Sequence, residues 1–217
     1  MTNPYYILSA LIIGYWLGRY SSRNSSFRLR IPSFQNQGEA LVARKIQANF
    51  KVPDFHLLNH ITLKLDDGTT QIDHILVSCF GVFVIETKDY SGWIFADPKH
   101  ATWTQVLYRL KFKFQNPIFQ NFRHVKSVEA LLDFLPATAI KSAVVFVGDA
   151  EFQTDIPSGV YTLSGFINYL QNCNEQVMSL NRVQFCVGRL ETARLAITRK
   201  TDLEHVKDLD RRHGIKD

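Results

Sequence analysis

The chain has 217 residues, 46% of them hydrophobic and 21% charged, which excludes an intrinsically disordered segment, a collagen-like fibre and a low-complexity linker and suits a domain of about 150–200 residues. The 3 cysteines form no Cys-x-x-Cys pair, so neither a disulfide framework nor a cysteine-based zinc site is expected, and a reducing compartment is favoured. The formal net charge of +5 gives no argument for nucleic-acid binding, because the basic excess lies within residues 19–51.

The N-terminal segment has the pattern of a membrane span. Residues 4–18 are uncharged and almost entirely apolar, with tyrosine or tryptophan at both ends. A helix over residues 4–20 is about 25 Å long, slightly short for a hydrocarbon core of about 30 Å. Four arginines follow the segment and none precedes it, which predicts a single pass with the N-terminus outside and the remaining chain in the cytoplasm. The alternative is a cleavable signal peptide, although a basic leader and a small-residue cleavage site are lacking. The Gly14-x-x-x-Gly18 spacing would allow a homodimer through this helix.

Beyond a basic linker over residues 21–37, helical and strand patterns alternate. The expected hairpin turns are Asp66-Asp67-Gly68 and Asp97-Pro98, and Asn116-Pro117 is a helix start. The expected helices are 39–50, 117–134, 163–173 and one with its capping box at 201–204, and the expected strands are 57–65, 69–78, 81–88, 93–96, 101–108, 142–147 and 182–187. This order predicts an α/β fold, a mixed sheet flanked by helices. We expect a membrane anchor at 1–20, the linker at 21–37, a core domain at 38–150 and a C-terminal α/β extension at 151–217.

Two carboxylates interrupt otherwise apolar strands. Because strand side chains alternate, Glu86 and Lys88 share one face of their strand. If a two-residue turn closes the hairpin before Gly81, Asp73 lies directly opposite Glu86, and Gln71 lies opposite Lys88. A three-residue turn would instead place Asp73 on the other face, so any joint chemistry of these side chains requires the first register or a bulge that restores it.

Opposed carboxylates on a strand pair repel each other and need a compensating positive charge. A hard divalent cation with oxygen ligands is one solution. Lys88 is another, because its ammonium group could neutralise Asp73 and Glu86 as a structural ion-pair cluster. The spacing of these three residues leaves both interpretations open.

Several ordered motifs together resemble the nuclease-related domain (NERD) family, within the PD-(D/E)XK superfamily of restriction-endonuclease-like folds. They cover roughly half the chain, from about residue 38 to residue 147. The motifs are Gly38-Glu39, Ile72-Asp73-His74-Ile75-Leu76-Val77, Gly81-Val82-Phe83-Val84-Ile85-Glu86-Thr87-Lys88, Ser91-Gly92-Trp93, Trp103-Thr104-Gln105 and Asn116-Pro117-x-x-Gln120.

The resemblance implies a restriction-endonuclease-like fold with a Mg²⁺ or Mn²⁺ site. By this likeness, Asp73 and Glu86 bind the metal with the backbone carbonyl of Thr87. Lys88 orients or deprotonates the attacking water, and Glu39 reaches the same site from the first helix. The proline of the superfamily's name is absent, since isoleucine precedes Asp73.

Residues 98–128 contain six lysines and arginines and no acidic residue, interleaved with aromatic residues. Such a segment could neutralise phosphates, with helix-start amides adding hydrogen bonds. The alternative is that the aromatic residues form core and the basic ones a solvated face. The candidate nucleic-acid contacts are Gln105, Lys111, Lys113, Asn116, Gln120 and Arg123. We expect His60, His74 and His124 to be ordinary structural histidines, and we predict no zinc site.

These observations lead to one main functional hypothesis and two alternatives. The main hypothesis is a membrane-anchored, divalent-metal-dependent nuclease that hydrolyses DNA on the cytoplasmic side, with RNA left open as a substrate. The first alternative is a non-catalytic module that keeps the nuclease fold and binds nucleic acid or a protein. The second is a purely structural membrane protein.

Overall fold

A computed structural model describes residues 36–196 of the chain. Three predicted segments lie outside the described residues: the anchor, almost all of the linker and the helix after residue 200. Between residues 36 and 196, no helix combines the length and apolar character needed to cross a bilayer.

The described residues form four α-helices and nine strands, which make two sheets. In chain order these are α1 (Gln37–Asn49), β1 (Phe55–Leu65), β2 (Gly68–Ser78), β3 (Gly81–Asp89), β4 (Gly92–Phe95), β5 (Thr102–Leu107), β6 (Leu110–Gln115), α2 (Pro117–Leu131), β7 (Ile140–Val147), β8 (Ala150–Phe152), β9 (Val160–Thr162), α3 (Leu163–Gln171) and α4 (Leu180–Ala193). The predicted mixed α/β fold is therefore confirmed for this part of the chain.

The main sheet has the strand order β1-β2-β3-β7-β9, antiparallel on one side of β3 and parallel on the other. Its central strand β3 is buried on both faces, as its continuous apolar run predicts. On one face, Val82 and Val84 pack with residues of α2 and α4. On the other, Phe83 and Ile85 pack with residues of α1 and α3. Helices therefore cover both faces of the main sheet.

The β2–β3 hairpin has the register that the candidate site requires. Ser78 pairs with Gly81 across a two-residue turn, and the ladder continues to His74 and Ile85. One pair further along, Asp73 and Glu86 fall opposite each other by the same count. The two-residue turn formed by Cys79 and Phe80 fixes this register.

The strand predicted at residues 182–187 is wrong, because this segment lies within helix α4. Val183, Phe185 and Val187 alternate as in a strand, which explains the mistaken prediction. The buried positions of α4 are instead spaced by three and four residues, at Val183, Cys186 and Leu190. Ser179 begins the helix, and its hydroxyl accepts a hydrogen bond from the backbone N–H of Arg182.

A second sheet, with the order β6-β5-β4-β8, lies beside the main one. The β4–β5 hairpin was predicted, whereas β6 and β8 were not. Ile94 and Trp103 point inward from this sheet and form one cluster with Val144 and Phe146 of β7. Since Val144 and Phe146 pair with Glu86 and Lys88, the second sheet covers the main sheet next to those two residues.

Candidate active site

Asp73 lies at a local break in the main sheet. The pairing of β1 with β2 passes from Asn59–His74 to Ile61–Ile72 and omits Asp73 with its neighbour His60, whose φ is 50°. The β2–β3 ladder also ends one pair before Asp73. The carboxylate Oδ2 of Asp73 instead accepts a hydrogen bond of 2.7 Å from the backbone N–H of Thr87. Asp73 thereby connects the two strands at the point where their backbone pairing stops.

Glu86 and Lys88 form a contact along one face of β3. The Lys88 ammonium donates to Glu86 Oε1 at 2.7 Å and to Gln120 Oε1 of helix α2 at 2.9 Å. Glu86 is only 3% exposed. The sequence register also predicts Gln71 opposite Lys88, but the β2–β3 ladder ends at His74 and Ile85, before it reaches this pair. The second hydrogen-bond partner of the ammonium group is Gln120.

Helix α2 brings a histidine to the same carboxylate. The Nε2 atom of His124 lies 3.3 Å from Glu86 Oε2, and its Nδ1 atom is 2.8 Å from the Thr70 hydroxyl. Between Gln120 and His124 on the helix, the buried Asn121 side chain donates hydrogen bonds to backbone carbonyls of β3 and β7 and to the Ser142 hydroxyl. These bonds fix α2 on the sheet and so position both Gln120 and His124.

Glu39 reaches the site from the first turn of α1. Asn36 begins this helix by accepting a hydrogen bond from the Glu39 N–H, and the Asn36 amide also donates to the Glu39 carboxylate. Glu39 Oε2 lies 3.3 Å from His60 Nε2. The neighbouring Gly38 permits this position, because a Cβ atom there would lie 2.7 Å from the Asp89 Cβ atom.

Three carboxylates of this cluster lie near one ammonium group, and their burial and mutual repulsion affect the pKa values of the cluster. Burial and the nearby Glu86 raise the pKa of Glu39 from 4.5 to about 7. Burial, Glu86 and Glu39 together raise the pKa of Asp73 well above its usual value. Burial opposes the charge on Glu86 too, but His124 and Lys88 outweigh it and lower the pKa of Glu86. Burial likewise opposes the charge of Lys88, and Glu86 outweighs it and raises the Lys88 pKa.

The donor atoms of this cluster fit a hard cation. Glu39 Oε2 and Glu86 Oε2 are buried without a hydrogen-bond partner, although each lies near a histidine. Across residues 36–196, no group of three or more His, Cys, Asp or Glu side chains is arranged to hold a metal ion. The expected set is smaller, since it consists of Asp73, Glu86 and the backbone carbonyl of Thr87. Oxygen ligands of this kind suit Mg²⁺, which commonly uses one or two carboxylates and completes its coordination with water.

The candidate nucleic-acid contacts belong to several elements and differ in exposure. Gln120 joins the site through Lys88, whereas the Gln105 amide donates to the Ser91 carbonyl. Lys111, Lys113 and Arg123 are exposed. Asn116 is fully buried, where it begins α2 and donates to the His100 carbonyl. We therefore leave Asn116 out of any nucleic-acid interface.

The sequence interpretation missed His60 and His124 as neighbours of the acidic groups. The β1–β2 register, counted back from the Asp66-Asp67 turn, brings His60 beside Asp73, although the two residues do not pair. On α2, His124 follows Gln120 by four residues and so lies on the same face of the helix. Both signals were present, but each depends on a register or a helix orientation. His74 does fit the structural role expected of it, since it is buried and its Nδ1 atom lies 2.8 Å from the Asn59 side-chain oxygen.

Comparisons with known proteins show which family the chain belongs to. The chain is 41% identical over 112 residues to an uncharacterized protein of Bacillus anthracis, an alignment that covers 51% of this chain. The chain spans about half the length of that curated relative, 52% of it. No solved structure matches the chain. A family model described as nuclease-related domain matches residues 35–147, which contain Glu39, Asp73, Glu86 and Lys88. The chain therefore belongs to the nuclease-related domain (NERD) family.

Proposed function

We propose that the protein is a divalent-metal-dependent nuclease that hydrolyses phosphodiester bonds of DNA. Membership of the NERD family suggests a nuclease-related function. The observation that carries the more specific proposal is the convergence of Asp73, Glu86 and Lys88 from two adjacent strands. The two carboxylates, Glu86 buried and Asp73 half-buried, would supply the ligands that a cation requires, and the lysine supplies a proton donor beside them.

Asp73, Glu86 and the Thr87 carbonyl would hold the cation. When bound, Mg²⁺ or Mn²⁺ would polarise a phosphate oxygen, lower the pKa of a water molecule and stabilise the charge that develops at phosphorus. The Thr87 N–H fixes one oxygen of Asp73, and the other oxygen of that carboxylate would bind the cation. His124 lies against Glu86 Oε2 and orients this second carboxylate.

Lys88 would act on the attacking water or on the phosphate. In the metal-free site its ammonium group is protonated, because Glu86 raises its pKa. In that state the Nζ atom donates hydrogen bonds and can stabilise a developing oxyanion. Gln120 and Glu86 hold the group in place, so its orientation exists before substrate binds. Glu39 supplies a third carboxylate close to these groups.

A plasmid-cleavage assay tests the proposal directly. The full chain is incubated with supercoiled plasmid in Mg²⁺, in Mn²⁺ and in EDTA. We expect cleavage only with metal, loss of cleavage in Glu86→Ala, and a decrease of about 10²- to 10⁴-fold in Lys88→Ala. The matched controls are Glu175→Ala and Lys64→Ala, which change exposed residues outside the cluster. Metal-independent cleavage, no cleavage by the parent chain, or equal cleavage by all variants would contradict the proposal.

One observation favours a non-catalytic binding module instead. Glu86 already contacts both Lys88 and His124, and these contacts lower its pKa without a cation. In this alternative the cluster is a structural ion-pair network. DNA or protein binding that persists in Glu86→Ala, together with no metal-dependent cleavage and no heat of Mg²⁺ binding in calorimetry, would support it.

We also propose that residues 4–20 tether the domain to a membrane, with the nuclease domain on the cytoplasmic side. The support is the apolar segment followed by four arginines. In cell fractionation, the full chain should resist extraction from membranes by alkaline carbonate. Deletion of residues 1–20 should release it into the soluble fraction. Equal solubility of both forms would argue against a tether.

A further inference from the structure

The outer face of the second sheet carries aromatic and basic side chains in register. Trp93 of β4 pairs with Val106 of β5, which pairs with Lys111 of β6. Two residues further along, Phe95 pairs with Thr104, which pairs with Lys113. Paired residues of an antiparallel sheet share a face, so these six side chains form one surface, the outer face.

We propose that the outer face binds single-stranded DNA, with bases stacked on Trp93 and Phe95 and phosphates near Lys111 and Lys113. This inference rests on the proposed function and specifies the form of DNA that the nuclease binds. Its first support is the exposure of the two rings. Trp93 is 50% exposed and Phe95 is 40% exposed, while Ile94 between them is fully buried.

The spacing of the rings suits successive bases. Residues two apart on a strand lie about 7 Å apart, so the two rings offer adjacent stacking positions along β4. Aromatic side chains on an open sheet face bind unpaired bases with little sequence preference, because every base has a π-face. Bases in a duplex are already stacked on each other and do not present these faces.

The charge of the outer face complements a phosphate backbone. Lys111 and Lys113 are both exposed and lie two strands away from the aromatic rings, a distance of about 10 Å at ordinary strand spacing. Glu151 of β8 lies on the opposite side of Trp93 and makes that edge acidic. A bound strand would therefore direct its bases toward β4 and its phosphates toward β6.

The outer face is separate from the catalytic cluster. The inner side of the same sheet packs on Val144 and Phe146, the β7 partners of Glu86 and Lys88. DNA on the outer face must pass an edge of this sheet to reach the cluster. The face would then hold substrate without contacting the scissile bond, and its loss should raise KM while kcat stays unchanged.

Fluorescence anisotropy of labelled oligo(dT) with the full chain in non-ionic detergent and EDTA tests binding apart from cleavage. We expect tighter binding of oligo(dT) than of a duplex of equal length. Trp93→Ala and Phe95→Ala should each weaken binding about tenfold, on the order of one lost base stack. Phe185→Ala is the matched control, because Phe185 is an exposed aromatic residue on α4, 56% exposed.

Salt dependence provides a readout that a folding defect would not mimic. Lys111→Gln and Lys113→Gln should each reduce the slope of log K against log salt by about 0.7, the value for one phosphate contact on a single strand. Preference for duplex, tighter binding of oligo(U), or unchanged binding in all four variants would overturn the inference. No oligo(dT) binding with intact plasmid cleavage would overturn it while leaving the proposed function standing. Binding as described, without plasmid cleavage, would support single-stranded DNA binding by the outer face and contradict the proposed nuclease function.

Discussion

Replacement of Glu39 by glutamine should stabilise the metal-free protein while impairing its activity. Glu39 is 8% exposed, and burial with the nearby Glu86 raises its pKa from 4.5 to about 7. At pH 8 the Glu39 carboxyl ionises more favourably in the unfolded chain than in the folded protein, which stabilises the unfolded state. Each tenfold change in an ionisation equilibrium corresponds to about 1.4 kcal/mol. The rise in the pKa of Glu39 from 4.5 to about 7 therefore lowers the free energy of unfolding by about 3 kcal/mol at pH 8.

Glutamine keeps the size of the side chain and can still contact Asn36, but it carries no charge. The net gain in the free energy of unfolding should be about 2–3 kcal/mol at pH 8. For a chain of this length, that gain corresponds to a rise in Tm of roughly 5–10 °C.

The pH dependence identifies the cause. A carboxylate with a raised folded-state pKa penalises folding only when the unfolded chain is ionised, so the penalty grows between pH 4.5 and about pH 7 and then stays constant. Urea denaturation in EDTA at several pH values should therefore show Glu39→Gln gaining its advantage over this window. Glu175→Gln, at an exposed position, is the control. A stability difference that does not vary with pH, or a variant less stable than the parent at pH 8, would refute this reasoning.

Three further substitutions test how the site is positioned. Asn121→Ala should lower the free energy of unfolding by about 2–4 kcal/mol in urea denaturation, because it leaves buried hydrogen-bonding groups of the sheet unpaired. Gly38→Ala should cost about 1–3 kcal/mol and reduce cleavage, since the new Cβ must displace α1 from Asp89; full activity would argue against the close approach. His124→Ala should lower kcat about 10- to 100-fold with little change in KM, and His124→Gln should recover part of it, as expected if this side chain orients Glu86. Equal kcat in both His124 variants and the parent would exclude that role.

The part of the site that sequence could predict is the part built on the strands. Alternation, a local property of the chain, places Glu86 and Lys88 on one face. The length of the turn before Gly81 stayed open in the sequence, and the structure shows the two-residue turn that puts Asp73 opposite Glu86. The apolar run of β3 likewise predicts a central buried strand without any knowledge of its neighbours.

The contributions from helices could not be predicted in this way. His124 meets Glu86 only because α2 packs on the sheet in one orientation, which depends on Val125 and Val128 in the core and on the hydrogen bonds of Asn121. These are contacts between residues far apart in sequence. The same reason explains the mistaken strand at α4, where Val183 satisfied both a strand pattern and a helical one until burial distinguished them.

The position of the acidic pair follows from the apolar half of the same hairpin. The two-residue turn sets the register of β2 and β3, and burial of Ile75 and Val84 stabilises the paired strands. Asp73 therefore lies next to Glu86 despite the repulsion between the two carboxylates. The core thus holds the two carboxylates together in the metal-free protein. If a cation binds there, as proposed, it would require no ordering of the chain, so more of its binding energy would remain for affinity than in a site that must fold around its ligand. The raised pKa of Asp73 is the consequence of this arrangement in the metal-free protein.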